Sequence, residues 1–189
     1  MNDFIVTATG RRFYPLAPRE GDIEIEDIAH ALSLQCRFAG HTRYFYSVGE
    51  HSARVADLLE AWGQSQEVVL WGLLHDASEA YLVDIPSPLK AQPAFAPYLK
   101  AERRLKSMIV EHFGLSCLEP QAVRDADRVL LATEARDLMP GHDYQDENGE
   151  WVRTRNWNGL PAPLPEALCP VSADAAKVKF MQRFMEVST

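Results

Sequence analysis

Cysteine is scarce and scattered in this chain: Cys36, Cys117 and Cys169 are an odd set at wide spacing. That argues against a disulfide framework and against a structural zinc site of the paired-cysteine kind, leaving each as a core or loop thiol. Long apolar runs are missing too, the longest falling well short of a membrane span. The opening Met1-Asn2-Asp3-Phe4 has none of the basic-then-apolar pattern of a secretory leader, so the expected compartment is the cytoplasm. Cations are in deficit, with 19 Lys and Arg against 27 Asp and Glu, a net charge of −8. Such a surface disfavours a nucleic-acid polymer or an acidic membrane as partner, since both need a basic face. Internal repeats and low-complexity tracts are absent.

What is present is a globular composition, 47% hydrophobic and 24% charged over 189 residues, enough for one core in one domain spanning 1–189. The pattern is all-α, a helical bundle with a small N-terminal β-hairpin. Residues 4 to 16 read as two short strands around Gly10. Ile25 to Leu34 reads as a short helix with Asp27 near its first turn and His30 as a structural histidine. Ser47-Val48-Gly49-Glu50 has capping-box form and opens a helix to about Trp62, with Val48, Val55, Leu59 and Trp62 on its apolar stripe. A largely apolar helix begins near Val68 and is expected to run to the turn at Pro86. Two prolines should keep 84–88 rigid. A long helix from about Phe95 to Phe113 places Leu105, Met108, Ile109 and His112 at core spacing. Another runs from Pro120 to about Met139. Residues 140–170 read as an irregular loop of the kind used for lids, binding or assembly, in which Asn148-Gly149 can turn a hairpin and His142 has no evident partner. A last helix spans about 172–186.

Polar residues of metal-ligand type sit inside these helical patterns. His75, Asp76 and Glu79 share one rim of an otherwise buried helix, and an adjacent His-Asp pair can offer a nitrogen and an oxygen to one divalent cation. In isolation the pair also fits a cation and its acid at a helix C-terminus. His51 faces inward between Val48 and Val55, as would a core histidine bonded to a carbonyl. On the 120–139 helix, Val123, Asp127, Leu130, Leu131, Glu134 and Leu138 share a face, whereas Asp125 lies opposite. Asp127 is thus an acid pointing inward that needs a cationic partner, and Glu134 raises the same question. Two imidazoles and two carboxylates from three helices suit one divalent metal, of the Zn, Mn, Co, Fe, Ni or Mg kind. Between Gln35 and Tyr46 a loop rich in cations and aromatics offers Arg37 and Arg43 for phosphate and Phe38, Tyr44 or Tyr46 for stacking. The alternative is that the aromatics fill core and the arginines are solvated. His41 in that loop reads as a surface histidine.

The wording of Ser47-Val48-Gly49-Glu50-His51-Ser52, His75-Asp76-Ala77-Ser78-Glu79, Asp84-Ile85-Pro86-Ser87-Pro88-Leu89-Lys90 and Asp125-Ala126-Asp127 resembles the HD-domain metal-dependent phosphohydrolases. Within them it is similar to bacterial 5'-deoxynucleotidases and related viral deoxynucleoside triphosphate hydrolases, over about residues 25–139. The resemblance implies an HD-domain fold with His51, His75, Asp76 and Asp127 as metal ligands and Glu79 as the acid needed for catalysis. It also implies that Asp84, Pro86 and Ser87 contact the nucleotide and that Arg37 with Phe38 orients phosphate and sugar. Lys90 would balance phosphate charge, and Asp84 would meet a sugar hydroxyl or merely cap its turn. The expected activity is hydrolysis of the 5'-phosphate ester of a (deoxy)nucleotide by metal-activated water. The alternatives are hydrolysis of a cyclic or alarmone nucleotide, and nucleotide sensing without turnover. The expected partner is a small nucleotide, with a homodimer or higher homo-oligomer as the default assembly.

Overall fold

The computed structural model describes residues 3–19, 21–116, 118–140, 143–145, 148, 151–153 and 159–188. Strands β1 (Ile5–Val6) and β2 (Arg12–Phe13) pair antiparallel around Gly10, whose φ of 81° is the left-handed value a glycine accepts without strain. The hairpin is anchored at both ends. Its turn is held because buried Asp27 accepts from the Thr9 amide at 2.7 Å and the Thr9 hydroxyl at 2.9 Å. At its base, Phe13 is fully buried and stacks on Tyr81 at 3.9 Å between ring centres.

Eight helices follow, α1 (Ile25–Leu34), α2 (Val48–Ala61), α3 (Gln66–Leu74), α4 (Glu79–Leu82), α5 (Ser87–Lys90), α6 (Ala96–His112), α7 (Gln121–Asp137) and α8 (Ala173–Val187), among the described residues. The protein is therefore mainly α-helical with a small N-terminal hairpin, as its pattern implies. Helix α2 is the hub, packed on α1, α3, α7 and α8. Two glycines permit that crowding. A Cβ on Gly49 would stand 2.7 Å from Ser33 Oγ and 3.0 Å from the Ser33 amide of α1, and one on Gly72 would stand 2.3 Å from Leu59 Cδ1. The core of Ile28, Leu32, Val55, Leu59, Leu73, Leu105, Ile109, Leu130 and Phe180 closes around this hub. No helix among the described residues is long and apolar enough to cross a membrane.

Several expectations change. The capping box is only half built: Ser47 Oγ accepts from the Glu50 amide at 3.0 Å, but the Glu50 carboxylate turns away to Arg54 (2.8 Å) and to the Val171 amide (3.0 Å). A buried carboxylate gains more from a guanidinium than from one further amide. The helix expected to reach Pro86 stops at Leu74, passes through turns at 75–78 and resumes as α4. The 84–88 segment leads into the single-turn helix α5, which begins at Ser87. Trp62 and His112 are exposed rather than core, His112 resting edge-on against Phe113. Within the 140–170 stretch, β3 (Asp143–Gln145) pairs with β4 (Trp151–Arg153), with Asn148 in the turn. Cys117, His142, Gly149 and Trp157 lie outside the described residues; Cys36 and Cys169 are free thiols.

Replacing Gly49 by Ala is expected to lower the unfolding free energy by about 1–3 kcal/mol, because it crowds Ser33 Oγ and also the α1 backbone, which cannot rotate aside. Urea denaturation measures this, and an unchanged midpoint would mean that α1 and α2 separate freely.

Candidate metal centre and adjoining cleft

His51 lies in the first turn of α2 and is completely buried. Its Nδ1 meets Glu134 Oε1, from α7, at 2.6 Å. His75 caps the C-terminus of α3 and sends Nδ1 to the carbonyl of Gly72 at 2.7 Å. In a continued α-helix that carbonyl would receive the Asp76 amide, so the imidazole competes with the helix where the helix ends. Both Nδ1 atoms therefore act as donors, and each neutral ring presents a bare lone pair at Nε2.

The two Nε2 atoms face the same small space. The rings are 5.3 Å apart, and Asp76 Oδ2 lies 3.1 Å from His75 Nε2 and 4.0 Å from His51 Nε2. Asp127 Oδ1, from α7, comes within 3.1 Å of His51 Nε2. Despite these approaches, both buried nitrogens lack a hydrogen-bond partner among the described residues. Donor atoms that pair electrostatically at 3.1 Å without hydrogen-bond geometry, and that crowd one small space, are what a ligand set looks like. One donor atom each from His51, His75 and Asp76 lies within 4.8 Å of the others, so this group could hold a metal ion. Three of the four expected ligands are thus brought together, and Asp127 adjoins the group at His51.

Charge around the centre is strongly perturbed. Burial alone would push the Asp76 carboxyl up, but His75, His51 and Arg37 outweigh it and hold it far below the ordinary range. Asp127 and Glu134 are likewise lowered against burial, the first by His51 and the second by Arg37 and His51. Burial opposes protonation of both imidazoles, yet Glu134 and Asp127 raise His51, and Asp76 raises His75. Glu79 goes the other way. Burial, then Asp76 and Asp84, push it up to about 8, its Oε1 lies 3.3 Å from Lys90 Nζ, and its buried Oε2 has no partner among the described residues.

The centre opens into a cleft of about 850 Å³ whose walls include Asp76, Glu79 and Asp127 and the expected substrate-contacting residues Arg37, Phe38, Asp84, Pro86, Ser87 and Lys90. Arg37 begins a short 3₁₀ turn (Arg37–Gly40) in which Phe38 and Ala39 take left-handed φ values of 54° and 52°. Arg37 is neither solvated nor free: Nε and Nη2 both reach Glu134 Oε2, at 3.2 and 3.1 Å, and Nη1 lies 3.6 Å from Asp76 Oδ2. Val83, immediately before the cleft-lining Asp84, is a second strained point, with φ 62°. Its turn is clamped by Gln35, which donates Nε2–H to the Glu79 carbonyl at 2.9 Å and accepts the Asp84 amide at 3.2 Å, and by Tyr98, whose hydroxyl donates to the Val83 carbonyl. Asp84 is raised by burial, against Arg37 and Lys90. Lys90 is shared by Glu79 and Glu102, the latter at 2.6 Å.

Glu134 and Gln35 carry more of this site than their sequence context suggests. Glu134 is visible as an unexplained acid on the inward stripe of α7. Gln35 follows α1 with no periodic signal, and only its two backbone partners reveal it.

Because the folded protein raises Glu79 above the ordinary carboxylate value, folding favours its neutral form. That contribution is complete below the unfolded pKa of 4.5 and is lost as pH rises through about 8. The raised histidines lose theirs in the same direction. Chelator-treated protein should therefore be less stable at roughly pH 9 than at roughly pH 6, and Glu79→Gln should remove on the order of 2 kcal/mol of that difference in urea titrations.

No protein-family model matches the chain. It is 37% identical over 185 residues to the uncharacterized protein YfdR of Escherichia coli strain K12, covering 98% of this chain and 96% of that protein. It is 38% identical over 138 residues to an uncharacterized protein of Rhodobacter capsulatus, covering 69% of this chain and 70% of that one. With more than a third of residues shared along nearly the whole of both chains, the protein belongs to the family of YfdR.

Proposed function

We propose that this protein is a metal-dependent phosphohydrolase of the HD-domain kind, cleaving the 5'-phosphate ester of a (deoxy)nucleotide. The observation that carries the reading is the pair of buried imidazole nitrogens, His51 Nε2 and His75 Nε2, left without hydrogen bonds beside Asp76, which lines the adjoining cleft. Leaving two such groups unsatisfied is costly, and a cation is the simplest ligand that would satisfy both.

His51, His75 and Asp76 would hold the ion, with Asp127 adjoining. Bound there, a divalent cation supplies Lewis-acid stabilisation of phosphate charge and lowers the pKa of a water, a role that Zn, Mn, Co, Fe, Ni or Mg can fill. Glu79 would hold or transfer a proton at Oε2, the oxygen that lacks a partner, between the attacking water and the departing oxygen. Arg37 and Lys90, which both line the cleft, would oppose the phosphate charge. Phe38, Ile85, Pro86, Leu131 and Met139 line the same cleft and would give the base and sugar an apolar wall. Asp84 would accept from a sugar hydroxyl.

The test is release of phosphate, pyrophosphate or triphosphate from a panel of deoxy- and ribonucleoside mono- and triphosphates, using chelator-stripped protein with manganese, cobalt or zinc restored. Stripped protein should be inactive, metal should restore release, and Glu79→Gln and Asp76→Ala should each lower it by roughly 10²–10⁴ while retaining native circular dichroism. Protein that binds metal and nucleotide yet releases nothing would overturn the hydrolase reading.

A further inference from the structure

One buried carboxylate joins the candidate metal ligands to the candidate anion-binding group. Glu134 is fully buried and divides its two oxygens: Oε1 takes the Nδ1–H of His51 at 2.6 Å, and Oε2 takes Arg37 through Nε at 3.2 Å and Nη2 at 3.1 Å. Arg37 has a second acidic neighbour, Asp76 Oδ2, 3.6 Å from Nη1, and that oxygen belongs to the group that could hold a metal. Glu134 takes the Nε–H and pairs with Nη2, while Nη1 is held only by the longer ion pair to Asp76 and is the end of the guanidinium that a ligand in the cleft lined by Arg37 would compete for.

We propose that Glu134 is a positioning residue that couples metal occupancy to anion binding at Arg37. The coupling rests on the reading of the centre as a metal site facing a phosphate group. A cation on His51 Nε2 makes the Nδ1–H a stronger donor, so Glu134 gives more of its charge to His51 and less to Arg37. The same cation claims Asp76 Oδ2 and removes the other acid facing Nη1. Both effects release the Arg37 charge toward an incoming anion, so metal strengthens anion binding through Arg37 in addition to any direct attraction. By linkage, the anion strengthens metal binding by the same factor. Without metal, Arg37 stays committed to the two acids and the cleft binds phosphate weakly.

The geometry also explains why Glu rather than Gln occupies this position. Glutamine would still accept from His51 through its carbonyl oxygen, but its amide nitrogen would face the guanidinium as a second donor. Glu134→Gln therefore cuts one arm of the link and weakens the other.

The test measures binding rather than turnover. Manganese affinity, with and without inorganic phosphate, and phosphate affinity, with and without manganese, are measured by calorimetry on the full chain. The forms compared are wild type, Glu134→Gln, Arg37→Gln and the double variant, each checked by thermal melting. In wild type, manganese should tighten phosphate binding. Glu134→Gln should weaken manganese binding by about tenfold, tighten metal-free phosphate binding and shrink the gain that manganese brings. Arg37→Gln should keep or improve manganese affinity and lose the Arg37-dependent part of the gain. These opposite movements are not what a merely structural defect produces. If Glu134→Gln alone does not fold, the double variant, which removes both buried charges together, is read against Arg37→Gln: it should bind manganese more weakly, and equal manganese affinity in the two would overturn the role of Glu134. A manganese-induced gain of equal size in wild type and Arg37→Gln would overturn the coupling while leaving the metal centre intact. Wild type that binds no manganese would overturn the metal reading and the coupling with it.

Discussion

An imidazole nitrogen buried without a hydrogen bond costs on the order of 1–3 kcal/mol, and this protein keeps two of them side by side, His51 Nε2 and His75 Nε2. Much of the fold serves to hold that arrangement. The other nitrogen of each ring is tied down, by Glu134 for His51 and by the Gly72 carbonyl for His75. Helix α3 ends where His75 takes that carbonyl. Gly72 also lets α3 lie close against Val55 and Leu59 of α2, which brings the two histidines into one space. The tight packing of α2 and the chemistry at its first turn are therefore one constraint.

Strain gathers around the cleft. Phe38, Ala39 and Val83 are the non-glycine residues with left-handed φ among the described residues, and Phe38 and Ala39 line the cleft while Val83 immediately precedes its wall at Asp84. Such conformations cost of order 1–3 kcal/mol each and persist only where neighbours over-determine them. Here the neighbours can be named. The Arg37 amide is held by the Tyr46 carbonyl, and Gln35 with Tyr98 secures both sides of the Val83 turn. Gln35 and Arg37 thus connect the end of α1 to the cleft lining, so the positions of Asp84 and of the guanidinium are set together.

The segment before α8 reinforces the centre from outside. Thr133 Oγ1 accepts the Leu164 amide, Asp137 accepts the Leu168 amide, and Arg136 donates to the carbonyls of Leu164 and Glu166, all from α7. Glu50 and Arg54 of α2 hold Val171 and Cys169. One strap therefore ties together the helices that carry His51 and Asp127. It acts against their separation, which would pull the two side chains apart.

Helix positions were legible because apolar periodicity and caps are local signals. The 25–34 and 48–61 helices, the turn at Gly10 and the inward stripe of α7 all follow from them. The inward placement of His51 was legible for the same reason, whereas His75 and Asp76 come to the centre from the turn that follows α3 rather than from a continued helix face. Local patterns were silent on what lies across the gap. That α3 breaks at Leu74, that Glu50 leaves its capping box for Val171, that Glu134 divides itself between His51 and Arg37 and that Gln35 bridges Glu79 and Asp84 are contacts between distant segments. The sequence by itself determined most of the helices and the inward placement of His51 and Glu134, because period and burial depend on near neighbours. Only the tertiary structure decided which of those groups meet, because competition for a buried hydrogen-bond partner is settled by whichever donor the packing brings within reach.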